Sequence, residues 1–157
     1  MKTYFSICLL LLLGSGFSVA SENETCVNFT GHWSGQCTNN ESGTHYREMT
    51  IEQTGCESLL WDGDHFIIGQ ETIIIKTDNN GITINGRVHT EWTPDKSQIN
   101  MKEKGTASHP SLPTPLDYEG HAWIRINDGK LALVALITSL GGQPMNTKEE
   151  CLLDKAR

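Results

Sequence analysis

From Ile82 to Trp92 the chain alternates without a break. Ile82, Ile84, Gly86, Val88, Thr90 and Trp92 fall on one side, and Thr83, Asn85, Arg87, His89 and Glu91 on the other. A period of two with one wholly polar side predicts a half-buried β-strand. A strand with one wet face belongs in an antiparallel sheet. Gln98–Glu103 alternates in the same way, with Ile99 and Met101 against Gln98, Asn100 and Lys102. Ile73-Ile74-Ile75 places a β-branched run inside Glu71–Thr77, which favours strand again.

Turn chemistry punctuates the rest. Asn39–Gly43, Trp61–Asp64, Asp78–Gly81, Thr93–Lys96 and Asp128-Gly129 read as turns, and Asp128-Gly129 is the type expected in a two-residue hairpin. Between them lie predicted strands at Thr30–Thr38, His45–Gln53, Ser58–Trp61, His65–Ile68, Tyr118–Ile126, Leu131–Thr138 and Met145–Leu153. Gly105–Pro115, with Pro110, Pro113 and Pro115, reads as a loop. No amphipathic helix is evident. Eight to ten hairpin-linked strands predict an all-β fold, an antiparallel up-and-down β-barrel, with a β-sandwich as the alternative. Closure into a barrel removes the exposed edges that a long meander would leave.

The first twenty residues are not part of this pattern. Lys2, the apolar run Ile7–Leu13 and the small residues Ser18-Val19-Ala20 form a secretory signal, too short in its apolar core to span a bilayer. Cleavage near Ala20 leaves residues 21–157 as a single domain, secreted or periplasmic. Lys2 is the only charge removed, so the exported chain carries a net charge of −8. That balance, with no basic cluster, argues against nucleic-acid partners and anionic membranes. Asn23, Asn28 and Asn40 stand in glycosylation sequons, which matter only in a glycosylating host.

Cys26, Cys37, Cys56 and Cys151 survive cleavage, an even number after export, and none forms a Cys-x-x-Cys. Two disulfides are expected rather than a metal site. If the first two strands form a hairpin about Asn39–Gly43, residues whose numbers sum to about 82 lie opposite each other. That favours Cys26–Cys56 over the other pairings and leaves Cys37–Cys151 to tie the first strand to the last.

Candidate chemistry is sparse. Neither a nucleophile-elbow motif nor a phosphate-binding loop occurs, and the six histidines do not pair at metal-ligand spacing. Asp62, Asp64 and His65 crowd one turn and would mark an enzyme only if they converged in a cleft. Asp78–Gly81 lacks the closing Glu of a calcium loop. Trp33, Trp61, Trp92 and Trp123 each fall on a predicted strand and are the candidate lining of a cavity for an apolar or ring-shaped ligand.

Phe29-Thr30-Gly31-His32-Trp33 resembles the Gly-x-Trp signature that opens the first strand of calycins, the group of lipocalins and avidins. Cys26 upstream and Met49-Thr50-Ile51 in the second strand are placed as in avidins. Ser34-Gly35-Gln36-Cys37 replaces the avidin biotin-binding pattern, and Thr77-Asp78-Asn79 is the nearest approach to the second lipocalin motif. The resemblance implies a calycin-like barrel with Trp33 closing its bottom, and no biotin ligands. The expected function is non-enzymatic and cofactor-free: binding of a small apolar or amphipathic ligand, with Gly105–Pro115 at the cavity mouth. The alternatives are a protein-binding, inhibitor or envelope-interaction module with a filled barrel, and an enzyme around Asp62, Asp64 and His65.

Leu131–Ile137 departs from simple alternation. Leu131, Leu133, Ala135 and Ile137 occupy one face, and Ala132, Val134 and Leu136 the other, so both are apolar. An apolar outer face needs cover. Either a loop supplies it or a second copy does, in a homodimer through Leu131–Ile137.

Overall fold

The computed structural model describes residues 25–78 and 81–156. The segment read as a secretory signal, Asn23, and Asn79-Asn80 lie outside the described residues. Ten strands follow one another without an intervening helix: β1 Gly31–Asn39, β2 Gly43–Thr54, β3 Ser58–Trp61, β4 Asp64–Ile67, β5 Glu71–Thr77, β6 Thr83–Trp92, β7 Gln98–Ser108, β8 Leu116–Asn127, β9 Lys130–Leu140 and β10 Gln143–Lys155. They form one antiparallel sheet in the order β4-β3-β2-β1-β10-β9-β8-β7-β6-β5. Every hydrogen-bonded neighbour is a sequence neighbour except the pair of first and last strands. The fold is therefore a nearly closed meander barrel whose ring is joined through β1 and β10, with its break between β4 and β5.

The register explains the inner surface. Along β6, Gly86, Val88 and Thr90 are buried while Asn85 and Arg87 are exposed, as the alternation requires. Ile82 stands just before the strand and is 38% exposed, since pairing of β6 begins at Thr83. In β1–β2, Gly31 faces Ile51 and Trp33 faces Met49, so opposed numbers sum to 82. Cys37 faces Cys151 across β1–β10. The disulfides are Cys26–Cys56 and Cys37–Cys151, the latter with its Cα atoms 4.0 Å apart. The Asp128-Gly129 turn has both residues at positive φ, 49° and 77°, matching the twist of the flanking strands.

Pairing carries β7 on to Ser108, so the loop read at Gly105–Pro115 shrinks to residues 109–115. Gly105 lies opposite Gly86 on one side and Tyr118 on the other. A Cβ on Gly105 would collide with the backbone of Asn85 and Gly86. This glycine permits close approach of two strands rather than ending one.

One end of the barrel is packed solid. Residues 26–30 cross beneath it, tied by Cys26–Cys56 and by the Gln53 amide, which accepts from Phe29 N (2.9 Å) and donates to Val27 O (3.0 Å). Phe29 is fully buried and stacks on Trp92, with ring centroids 5.7 Å apart. Ile51, Leu59, Ile99, Ile124, Leu131 and Leu153 complete this core.

The outer face of β9 is less bare than its sequence suggests. Val134 is only 8% exposed, lying beside Trp123 of β8 and Glu150 of β10. Trp123 sits on the outer side of β8, since Ala122 and Ile124 point inward. The apolar exposure here belongs to Ile137 of β9, at 39%, to Leu152, which adjoins Ala132 and is 51% exposed, and to Tyr46.

Candidate functional site

The other end of the barrel is hollow. A cavity of about 490 Å³ opens where the turns β1–β2, β3–β4, β5–β6 and β9–β10 and the loop 109–115 gather. Its deeper wall is apolar, formed by Trp61, Phe66, Val88, Met101, Ala122 and Ala135. Small residues on β8 and β9 leave the space that large ones fill at the packed end. Trp61 and Phe66 meet at a tilt across β3 and β4, with centroids 6.4 Å apart.

Toward the mouth the wall becomes polar. The Arg47 guanidinium on β2 donates to Glu149 on β10 at 2.7 Å. This pair spans β1, because Arg47 and Glu149 belong to the strands on either side of it. His45 lies 3.7 Å from the same carboxylate. Across the break in the sheet, Lys76 of β5 makes an ion pair with Asp64 of β4. Thr72 Oγ1 also donates to His65 O across that break at 3.2 Å, so side chains bridge where the strand ladder stops. Farther round, the Tyr118 hydroxyl donates to Glu103. Burial, and then the hydrogen bond and charge of Glu103, push the Tyr118 phenol far above its ordinary range, so it stays protonated and a donor.

The four tryptophans divide between three environments. Trp61 lines the cavity. Trp33 is in the packed end, where its Nε1 donates to Phe29 O at 2.8 Å and Lys155 Nζ lies 5.5 Å from its ring centroid. Trp92 is there too, with Nε1 donating to Cys56 O at 2.9 Å. Trp123 lies on the outside of the barrel. Strand parity places Trp33 and Trp92 inside but says nothing of depth, and depth separates them from the cavity.

Asp62 and Asp64 both border the cavity, but His65 does not join them. Asp62 is exposed in the β3–β4 turn at φ 47° and accepts from Thr50 N at 2.8 Å. Asp64 points inward to Lys76, and His65, the next residue along the strand, is on the exposed outer face. The cavity residues that sequence reading missed are Arg47, Lys76, Glu103, Tyr118 and Glu149. All are polar residues at inward positions of strands, visible only as breaks in otherwise apolar alternation. Cys37, Glu149 and Cys151 cluster closely, but both sulfurs are spent in the disulfide and are not thiolate ligands for a metal. Among the described residues no helix is long and apolar enough to cross a membrane. No family model, curated protein or solved structure matches the chain.

Proposed function

We propose that this protein is a secreted, calycin-like carrier, without catalytic activity, that binds a small apolar or amphipathic molecule in its barrel. The observation that carries this reading is the cavity of about 490 Å³, closed at the Phe29–Trp33 end and open at the other. An apolar pocket of a few hundred Å³ with a few convergent polar groups is the usual form of a small-molecule site. The Gly-x-Trp at Gly31–Trp33, with Trp33 buried in the closed end, supports the calycin comparison. The two disulfides suit an extracellular or periplasmic setting. We further propose that two copies pair through the outer face of β9, beside the exposed Leu152 of β10.

Binding is tested with N-phenyl-1-naphthylamine, a neutral probe whose emission rises in apolar surroundings. Wild-type protein should bind it at micromolar concentration and transfer tryptophan excitation to it. Because Trp61 alone of the four tryptophans lines the cavity, Trp61→Phe should remove the nearest donor and lower that transfer. A wild-type protein that binds neither this probe nor a retinoid or fluorescent fatty acid refutes the carrier reading.

A further inference from the structure

The charges of the cavity wall are not evenly matched. Arg47 is engaged by Glu149 at 2.7 Å and Lys76 by Asp64. Asp62 is exposed at the rim and caps a backbone amide. Glu103 differs from all of these. It points inward from β7, two residues from buried Met101, between Val88 of β6 and Gly120 of β8. Its Oε1 accepts from the buried Tyr118. Its Oε2 has no hydrogen-bond or ion-pair partner among the described residues, and no cation reaches either oxygen. A half-buried carboxylate with one neutral donor is incompletely compensated.

The surrounding backbone is shaped to hold this pair. A Cβ on Gly86 would collide with the Tyr118 hydroxyl and lie 3.2 Å from Glu103 Oε1. Gly120, opposite Glu103, adds no side chain to the wall. A tyrosine that stays protonated orients the carboxylate and cannot neutralise it. Around the ring, β6 and β5 separate Glu103 from Phe66 and Trp61, so the carboxylate and the aromatic wall face one space from different sides.

We propose that the ligand is an amphipathic cation: a protonated amine whose ammonium is taken by Glu103 and whose apolar body lies against Trp61, Phe66 and Met101. This rests on the carrier reading and narrows it to a ligand class. An anionic amphiphile would meet Glu103 and find both nearby cations already paired.

The test is displacement of N-phenyl-1-naphthylamine by three chains of equal length: decylamine, decan-1-ol and decanoate. Charge-assisted hydrogen bonds are about twice as strong as neutral ones, so decylamine should bind about tenfold or more tighter than decan-1-ol, with decanoate weakest. Glu103→Gln should bring amine and alcohol to within about threefold of each other. The wild-type ranking decides even if the variant folds poorly. Alcohol binding as tightly as amine, or an amine preference surviving Glu103→Gln, overturns the amine inference and leaves the carrier standing. If calorimetry finds no binding of the probe or of any of the three chains, the carrier reading falls and this inference with it.

Discussion

Removing the Cys37–Cys151 bridge should be the costliest disulfide change in this protein. The bridge joins β1 to β10, the strand pair that makes the sheet a ring, and closes a separation of 114 residues. Loop-closure entropy for that span is worth about 4.8 kcal/mol at room temperature. Cys26–Cys56 spans 30 residues, which corresponds to about 3.6 kcal/mol. The perturbation is the paired change Cys37→Ala with Cys151→Ala, compared with Cys26→Ala with Cys56→Ala. Alanine avoids burying a hydroxyl, since Cys37 is fully buried and Cys151 is 5% exposed. The voids left at Cys37 and Cys151 add about 1 kcal/mol to the loss. The total approaches or exceeds half of an ordinary domain stability of about 5–15 kcal/mol. Urea unfolding followed by far-ultraviolet circular dichroism measures it, with the midpoint and slope fitted together. The reasoning is refuted if loss of Cys26–Cys56 costs as much as loss of Cys37–Cys151. In that case the packing of residues 26–30 beneath the barrel, rather than chain entropy, sets the value of a bridge here.

Tyr118 gives a pH dependence. Its folded pKa lies above the unfolded value of about 10, so below that pH both states keep the proton and stability is intact. Above it the unfolded chain ionises first, and the urea midpoint should fall as pH rises; Tyr118→Phe should flatten that fall, and an unchanged alkaline slope would contradict it. For the proposed dimer, Leu152→Lys places a charge on an exposed position beside Ala132 and should shift sedimentation toward monomer with the far-ultraviolet spectrum retained. A wild-type monomer at high micromolar concentration removes the dimer.

The elements legible in the sequence are those set by local rules. Alternation around Val88 and Ile99 gave two strands and their buried faces, and Asp128-Gly129 gave a hairpin because both residues tolerate positive φ. Hairpin register placed Cys26 and Cys56 near each other and left Cys37 for Cys151. What stayed hidden depends on depth and on contacts between distant strands. Trp33 and Trp61 both point inward, yet one is in the packed end and the other lines the cavity. Gly105 carries the same letter in a loop as in a strand, and only its approach to Gly86 tells them apart. Glu103 and Arg47 break no turn and form no motif. Each is a polar residue at an inward position, and its meaning depends on the partner that another strand brings to it: the Tyr118 hydroxyl from β8 for Glu103, and the Glu149 carboxylate from β10 for Arg47.

The ring is joined where the chain ends and broken between two of its middle strands, so its connectivity is a rotated version of a simpler one. Joining residue 156 to residue 25 by a short linker and cutting at Gly69 would give the order β5 to β10 followed by β1 to β4, with every paired strand adjacent in sequence. Trp33 and Lys155, paired across β1 and β10, would become nearer neighbours in sequence. Eight strands lie between β1 and β10 along the chain before those two can pair, and such distant pairings slow folding. The permuted chain would search far less. Its Cys37–Cys151 bridge would then close a loop of a few tens of residues, and because loop entropy grows only logarithmically the bridge would lose about 1–1.5 kcal/mol of its stabilising effect.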